Sequence, residues 1–197
     1  MEELYLNKGY NFIAGVDEVG RGCIAGPVVA GAAIMNVVEL DKWHTEIRDS
    51  KQLSKKKRES LAPIILTNAL YAGIGSISEQ IIDQVGIVQS TIMAMKSAIE
   101  QLCQVDFILI DALDINFKIP SKSIIHGDAK VFSIACASII AKVFRDELMN
   151  EFAEVYPGYN LAQNKGYPTN EHLIALKKLG PSPIHRKSFG PVKAILN

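Results

Sequence analysis

Four acidic residues stand where the sequence predicts the end of a strand or the start of a helix. Asp17 and Glu18 follow one short apolar run, and Asp111 follows another. Asp128 comes just before a long helical pattern. Oxygen ligands without histidine or cysteine suit Mg²⁺ or Mn²⁺ rather than Zn²⁺, and a divalent cation would also relieve the repulsion between close carboxylates. Two such ions about 3.5–4 Å apart can hold the attacking water and the leaving oxygen of a phosphoryl transfer.

Each of these acids also has a purely structural interpretation. Asp is favoured at helix N-termini, so Asp128 could be an N-cap, and the other acids could be turn residues. Adjacent residues on a regular strand point to opposite faces, so Asp17 and Glu18 can serve one site only if the strand ends or distorts there. Gly20 and Gly22 make such a distortion easy.

The segment that follows the first two acids, GRGCIA (20–25), nominally fits the dinucleotide fingerprint G-x-G-x-x-G/A. That fingerprint requires a helix next, whereas Gly26, Pro27 and a valine-rich strand follow here, so we exclude it. The phosphate-binding P-loop is also excluded, because no Gly-Lys-Ser/Thr is present. What remains is a loop whose backbone amides can approach a ligand closely, with Arg21 as a forked cation for a phosphate. A tight turn without function is the alternative.

Hydrophobic periodicity predicts the elements that position these residues. Ser54 is expected to be the N-cap of a basic helix, Ser78 the cap of a short helix, and Thr169 or Asn170 the cap of the last helix. The tail beyond residue 180 is expected to be loop-like with a short apolar end. The order of the predicted strands and helices implies an α/β fold with a mixed sheet and helices on its faces. Asp17 and Asp111 can then meet at the strand ends if their strands are adjacent and parallel. The predicted strands are 11–17, 28–38, 69–76, 105–110 and one around 124, and the predicted helices are 54–67, a short one after 78, 87–103, 129–156 and 170–179.

The composition indicates one globular domain in a reducing compartment. The chain of 197 residues, with 48% hydrophobic and 21% charged residues, is long enough for one well-packed domain and too short for two ordinary ones. Three scattered cysteines argue against a disulfide scaffold. No apolar stretch reaches the roughly 20 residues that span a bilayer, and the N-terminus lacks a signal core. We therefore expect a cytoplasmic protein with no membrane partner and, by default, a monomer.

The distribution of charge is more informative than the net charge of zero. Lys51 and the run KKKR (55–58) crowd one segment, and no acidic residue follows Glu171 although basic residues continue. A solvated helix face would have the same lysine pattern. Paired with an acidic centre, however, such patches could form the electrostatic footprint of a protein that binds a polyanion.

Several motifs together resemble one family, ribonuclease HII. They cover most of the chain in the family's order, so the joint match is highly specific. The matching segments are VDEVGRGCIAGPVVAGAAI (16–34), DSKQLSKKKRE (49–59), LID (109–111), HGDAKVFSIACASIIAKVFRDELM (126–149), NKGYPTNEHL (164–173) and LGPSPIHRKSF (179–189).

The resemblance implies a ribonuclease H-like mixed β-sheet flanked by helices. Residues 1–197 would form one catalytic domain, in which about 157–197 are a C-terminal helical extension that binds substrate. The implied reaction is endonucleolytic hydrolysis that leaves a 3′-hydroxyl and a 5′-phosphate, with Mg²⁺ or Mn²⁺ as cofactor and two ions in the reacting complex. The catalytic and metal-binding carboxylates would be Asp17, Glu18, Asp111 and Asp128.

The implied substrates are the RNA strand of an RNA/DNA hybrid and a DNA duplex that contains ribonucleotides, cut on their 5′ side. Only the 2′-hydroxyl lets a protein separate RNA from DNA at one nucleotide. By the resemblance, Gly20, Arg21 and Gly22 would recognise that hydroxyl. Tyr167 would stack on the sugar of the neighbouring deoxynucleotide, and Lys51 would contact phosphates.

Details of the motifs favour one type of ribonuclease H and show two departures from the family pattern. Gly-Arg-Gly in place of Gly-Thr-Gly, without a large N-terminal extension, favours type HII over type HIII. Ala112 and Pro168 stand where many family members have glycine. We expect alanine at position 112 to have only a small effect unless the backbone there needs a positive φ. We expect Pro168 to stiffen the loop beside Tyr167.

Two other functions stay open at this point. One is a ribonuclease H-like nuclease that acts on all-DNA substrates, such as a junction resolvase. The other is a nucleic-acid-binding module with an inactive site. No protein partner can be predicted from the sequence.

Overall fold

One mixed sheet forms the centre of the part of the chain that this computed structural model describes, residues 1–36, 42–47, 53–113 and 115–196. Its five strands are β1 (Ile13–Val19), β2 (Val28–Met35), β3 (Ala69–Ile77), β4 (Phe107–Asp111) and β5 (Ser121–Ile124), in the order β3-β2-β1-β4-β5. β1 is antiparallel to β2 and parallel to β4. The predicted mixed sheet is confirmed, whereas Lys51 and residues 37 and 38 of the predicted second strand lie outside the described residues.

Helices cover the two faces of this sheet and form most of the C-terminal part. They are α1 (Glu2–Leu6), α2 (Lys55–Asn68), α3 (Glu79–Val85), α4 (Ile87–Ile99), α5 (Gly127–Lys130), α6 (Phe132–Val155), α7 (Leu161–Asn164), α8 (Asn170–Leu179) and α9 (Gly190–Leu196), with a 3₁₀ helix at Lys42–Ile47. α4 packs on β2 and β3, and α6 packs on β1 and β2. The expected α/β fold with a C-terminal helical region is therefore confirmed.

The side chains of β1 alternate between these two helical layers, as a strand requires. Ala14 and Val16 belong to the core cluster that includes α4. Gly15 faces α6, because a Cβ placed on it would lie 2.2 Å from the Ile134 nitrogen. Asp17 faces the same way, because its carboxyl group is hydrogen-bonded to Ser138 of α6. The alternation therefore points Asp17 toward α6.

A glycine opposite Asp17 lets α6 lie close to the sheet at this point. Gly31 of β2 pairs with Asp17 in the antiparallel register. A Cβ placed on Gly31 would lie 2.3 Å from the carbonyl oxygen of Ala137, which is shorter than any non-bonded contact allows. The missing side chain thus brings Ser138, the next residue of α6, within reach of Asp17.

Two predicted N-caps are confirmed by side-chain hydrogen bonds, whereas Ser78, the N-cap residue of α3, forms none. Ser54 precedes α2, and its Oγ accepts a hydrogen bond from the Lys57 backbone N–H at 3.3 Å. Thr169 precedes α8, and its Oγ1 accepts from the His172 backbone N–H at the same distance of 3.3 Å. These bonds satisfy N–H groups that the first helical turn leaves open.

The single helix predicted over 129–156 is wrong, because two helices occupy this stretch. α5 ends at Lys130, and Val131 then has φ −128° and ψ 120°, which is extended backbone, before α6 begins. Asp128 lies inside α5, and the N-cap position belongs to His126. The interpretation of Asp128 as an N-cap is therefore wrong as well. β-branched residues such as Val131 tolerate the extended conformation well.

The short helices α1, α7 and α9 were not predicted. The tail beyond residue 180 was expected to be loop-like, yet it contains α9, which is held by the fully buried Val192 packing with Ile24 and Leu176. α1 is held in a similar way, because Glu2 Oε1 accepts the Ser133 N–H at the start of α6 at 2.8 Å. Helices this short are not stable alone, so periodicity in a sequence does not reveal them.

In the described part of the chain, no helix combines the length and the apolar character that crossing a membrane would require.

We predict that Gly31→Ala destabilises the protein by about 1–3 kcal/mol or more, because the new methyl group would push α6 away from β2. Urea unfolding monitored by circular dichroism measures this change. Gly190→Ala is the matched control, because a Cβ at Gly190 has no heavy atom within 4 Å. Equal stability of the two variants would show that α6 can shift at no cost.

Candidate active site

Three aspartates converge at the carboxyl ends of β1 and β4. Asp17 lies near the end of β1, Asp111 is the last residue of β4, and Asp128 lies in α5. One carboxylate oxygen of each lies within 4.8 Å of the others, and all three residues are buried. The two strands are adjacent and parallel, as the site required. We call Asp17, Asp111 and Asp128 the acid cluster.

Glu18, the fourth predicted acid, lies beside the acid cluster but is not part of it. β1 does not distort, because it keeps a regular register with β2 through Val19, and only its pairing with β4 stops, at Val16. Glu18 Oε1 accepts a hydrogen bond from Arg21 Nη1 at 3.1 Å. Its Oε2 is buried and accepts no hydrogen bond from any described residue. A buried carboxylate oxygen without a partner is costly, so this atom needs a donor or a cation.

The electrostatics of the site oppose negative charge. The pKa of Asp17 is raised to about 8, first by burial and then by the negative charges of Glu18 and Asp111, although a hydrogen bond with Ser138 acts in the other direction. Burial also raises the pKa of Glu18, and its hydrogen bond and ion pair with Arg21 lower it. Without a cation Asp17 would thus hold a proton at neutral pH, and a cation that binds there would displace it.

The donor set fits a divalent cation with oxygen ligands. The acid cluster offers three buried carboxylates, and Glu18 Oε2 adds an oxygen that lacks a hydrogen-bond donor. Neither histidine nor cysteine belongs to the group, which disfavours Zn²⁺ and suits Mg²⁺ or Mn²⁺. One divalent ion would offset the charge repulsion that raises the pKa values here.

The predicted ribose-binding residues lie at the same place. A cleft of about 450 Å³ is lined by Asp17, Glu18 and Asp111 as well as by Gly20, Arg21 and Tyr167. We call Gly20, Arg21 and Gly22 the Gly-Arg-Gly loop and this cavity the active-site cleft. A Cβ on Gly22 would lie 4.0 Å from the Tyr167 ring, and that ring is 38% exposed. Except for Lys51, the structure therefore brings the predicted substrate-binding residues close to the acids.

Three polar residues of the active-site cleft were not singled out as site residues in the sequence. Ser138 and Lys142 line it from α6, and Arg58 lines it from α2. Lys142 Nζ forms an ion pair with Asp146 at 2.7 Å, and Arg58 donates to the Leu53 carbonyl. Ser138 and Lys142 are four residues apart and so share one helix face, which is a spacing that the sequence displays.

Ala112, one of the two departures from the family pattern, has a strained backbone. Its φ is +50°, in the left-handed region that glycine adopts without cost. The residue directly follows Asp111, and its N–H donates to the Ile124 carbonyl at 3.1 Å. The condition under which Ala112 was expected to matter is therefore met.

Two buried histidines hold the backbone of Tyr167. His172 Nδ1 lies 2.9 Å from the Tyr167 carbonyl oxygen, and His172 Nε2 lies 3.1 Å from His185 Nε2. The Ser182 N–H donates to His185 Nδ1 at 3.0 Å. This chain of bonds closes when both rings are neutral, with His172 donating to Tyr167 and His185 donating to His172. Burial lowers the pKa of both rings, and that of His185 to about 4.

The fold is that of ribonucleases H, because solved structures of these proteins share this architecture. Ribonuclease H2 from Pyrococcus horikoshii OT3 matches with a TM-score of 0.77 at 24% identity, over 94% of this chain and 97% of that one. Bst-RNase HIII in complex with Mn²⁺ matches with a TM-score of 0.70 at 17% identity, over 94% and 69%. At these identities the likeness establishes the fold alone.

Sequence relatives then identify the family. The family model for ribonuclease HII matches residues 14–192. A ribonuclease HII of Dehalococcoides mccartyi is 48% identical over 100% of this chain and 93% of its own length, and one of Enterococcus faecalis is 48% identical over 99% and 76%. The chain therefore belongs to the ribonuclease HII family, and it is a metal-dependent ribonuclease H hydrolase that acts on RNA/DNA hybrids. The resemblance drawn from its motifs is confirmed.

We predict that Ala112→Gly stabilises the fold by roughly 0.5–1 kcal/mol, because glycine removes the left-handed strain at a modest cost in chain entropy. The midpoint of thermal unfolding measures the change. Ala194→Gly in the exposed part of α9 is the control, and it should lose up to about 1 kcal/mol. A loss of stability in both variants would mean that the positive φ at Ala112 costs nothing.

Acidification should destabilise the fold through the histidine pair. The ordinary pKa of histidine is 6.5 and that of buried His185 is about 4, so the unfolded chain binds more protons between these values. Stability is therefore full above pH 6.5 and decreases as the pH falls toward 4, by up to about 3 kcal/mol. Urea unfolding across this range measures the slope.

His185→Asn should flatten that slope, whatever it does to stability at pH 7. His126→Asn is the matched control, because His126 is exposed and asparagine tolerates its φ of +56°. If His185→Asn keeps the slope of the unmodified protein, His185 is not the group that titrates.

Proposed function

We propose that this chain, besides acting on the RNA strand of hybrids, cuts DNA duplexes on the 5′ side of an embedded ribonucleotide. The products would carry a 3′-hydroxyl and a 5′-phosphate. One observation carries the proposal: Gly20 and Arg21 of the Gly-Arg-Gly loop line one cleft with two members of the acid cluster. A protein that recognises the 2′-hydroxyl next to its metal site can cut at the same nucleotide that it recognises.

In this proposal the acid cluster and Glu18 would hold two divalent cations, Mg²⁺ or Mn²⁺, which would supply activation of the attacking water and stabilisation of the leaving oxygen. The chain's own residues orient the carboxylates before substrate binds. Asp111 Oδ1 accepts the Gly127 N–H at 2.7 Å, and Asp17 Oδ1 accepts the Glu18 N–H at 2.7 Å. Carboxylates fixed in this way need little reorganisation when the reaction occurs.

Basic residues at the active-site cleft would bind the phosphates. Arg58 and Lys142 line it beside the acids, and Arg21 balances the charge of Glu18. Cations that contact phosphates release counterions from the nucleic acid, so binding should weaken steeply as salt increases. Lys51 stays a prediction of the same kind.

The C-terminal part would complete the substrate site. Residues 157–197 supply Tyr167, whose exposed ring lies beside the Gly-Arg-Gly loop and could stack on a deoxyribose. We therefore retain the expectation of a single catalytic domain with a C-terminal substrate-binding extension. No base-reading group is required, so we expect little sequence preference.

A comparison of three duplexes tests the proposal. The duplexes are all-DNA, RNA/DNA hybrid, and DNA with one embedded ribonucleotide, each incubated with Mg²⁺ or Mn²⁺. We expect cutting of the hybrid and, in the third duplex, one cut on the 5′ side of the ribonucleotide. Equal cutting of the all-DNA duplex would instead support a general DNA nuclease, and binding without cutting would indicate an inactive module.

Asp111→Asn should reduce cleavage by at least about a thousandfold, because it removes one negative ligand from the acid cluster. Duplex binding, measured by fluorescence anisotropy, should change little. Glu100→Gln makes the same chemical change at an exposed residue after α4 and should keep full activity. Full activity of Asp111→Asn would remove this residue from the metal site.

A further inference from the structure

Two arginines lie buried behind the Gly-Arg-Gly loop. The side chains of Arg145 in α6 and Arg186, which follows α8, have no exposed surface. Among the described residues, neither guanidinium forms an ion pair with a carboxylate. Both arginines donate to backbone carbonyl oxygens instead. Arg186 donates to those of Gly20, Arg21 and Gly26, and Arg145 donates to those of Ala25, Pro27 and Lys165.

Arg186 determines which side of the loop's first peptide groups faces outward. Its Nη2 donates to the Gly20 carbonyl at 2.8 Å, and its Nη1 donates to the Arg21 carbonyl at 3.0 Å. In a trans peptide the carbonyl and the following N–H point in opposite directions. The N–H groups of Arg21 and Gly22 therefore both point away from Arg186. Neither donates a hydrogen bond to an acceptor in the described part of the chain.

The next peptide group has the opposite orientation. The Cys23 N–H points inward and donates to the Gly20 carbonyl at 3.3 Å, so the Gly22 carbonyl points outward. Gly22 is exposed. The loop thus presents two N–H donors and one carbonyl acceptor on its outer side. A hydroxyl group, which accepts and donates hydrogen bonds at once, matches this set.

We propose that Arg186 is a positioning residue for ribose selection: it holds the Gly20 and Arg21 carbonyls inward so that the loop can recognise a 2′-hydroxyl. This inference rests on the proposed function, in which the Gly-Arg-Gly loop contacts that hydroxyl. Arg186 itself does not reach the substrate, because it is fully buried. It acts through the backbone that it holds.

The guanidinium group suits this task better than other side chains. Its planar fork can bind two adjacent carbonyls at once, and its Nε binds a third, that of Gly26, at 2.9 Å. Burial lowers the pKa of Arg186 to about 10, so the group keeps its charge at neutral pH. The Phe189 ring, whose centroid lies 5.0 Å from the guanidinium carbon, fixes it further.

The test compares two buried arginines changed in the same way. Arg186→Lys keeps the positive charge but loses the forked guanidinium group. Arg145→Lys is the control, because it makes the same change at an arginine that binds the carbonyls of Ala25, Pro27 and Lys165. For each protein we would measure KM for the duplex with one ribonucleotide and the inhibition constant Ki of the all-DNA duplex in the same assay. The ratio of Ki to KM reports selection of the ribose, separately from general affinity.

We expect Arg186→Lys to reduce this ratio about tenfold, through a higher KM, with Ki unchanged. Arg145→Lys should lose similar thermal stability and keep the ratio within about twofold. An unchanged ratio in Arg186→Lys, or an equal reduction in both variants, would overturn the proposal. If the unmodified protein does not cut at the ribonucleotide at all, the proposed function itself has failed.

If neither variant folds, a measurement on the unmodified protein decides. With divalent cations chelated to prevent cutting, the ¹H–¹⁵N resonances of Arg21 and Gly22 are followed while each duplex is added. The ribonucleotide duplex should shift both resonances more than the all-DNA duplex does. Equal shifts with the two duplexes would overturn the assignment of these N–H groups to the ribose.

Discussion

Mutual repulsion among buried carboxylates is the constraint on which this site depends. The acid cluster holds three of them within 4.8 Å. Burial first, and then the negative charges of Glu18 and Asp111, raise the pKa of Asp17 to about 8. Such an arrangement persists only where the surroundings leave the side chains little freedom. Two parallel strands, a helix brought close by Gly31 and the Gly127 N–H supply that rigidity. The fold thus holds the three carboxylates close together despite their charge.

The distribution of cations around the acid cluster complements this arrangement. Arg21 pairs with Glu18, Lys142 pairs with Asp146, and Arg58 lines the same cleft. A chain with a net charge of zero can in this way attract a polyanion locally while it keeps an acidic centre. Phosphates would meet the basic residues, and the buried acids would act on them through bound cations.

Local chemistry in the sequence was enough to predict much of the fold. Helix starts at Ser54 and Thr169 depend on side chains a few residues away, so they could be identified without any tertiary knowledge. The break at Val131 could not, because the apolar pattern continues through it. Arg186 looks like one more basic residue of the tail, and only burial by distant segments distinguishes it. Ala112 is an intermediate case. Its departure from glycine was visible in the sequence, but only the structure shows that its φ is positive.

The bond from Arg186 to Gly20 joins residues that are 166 positions apart. During synthesis, β1 and β2 can pair as soon as both have emerged, because their contacts are local. The Gly-Arg-Gly loop must wait for a segment made much later, and contacts of such long separation form last. Under the proposed function, the acid cluster and the ribose-selecting loop would therefore mature at different times during synthesis. Until the C-terminal part docks, a nascent molecule could assemble its acids and still be unable to choose a nucleotide.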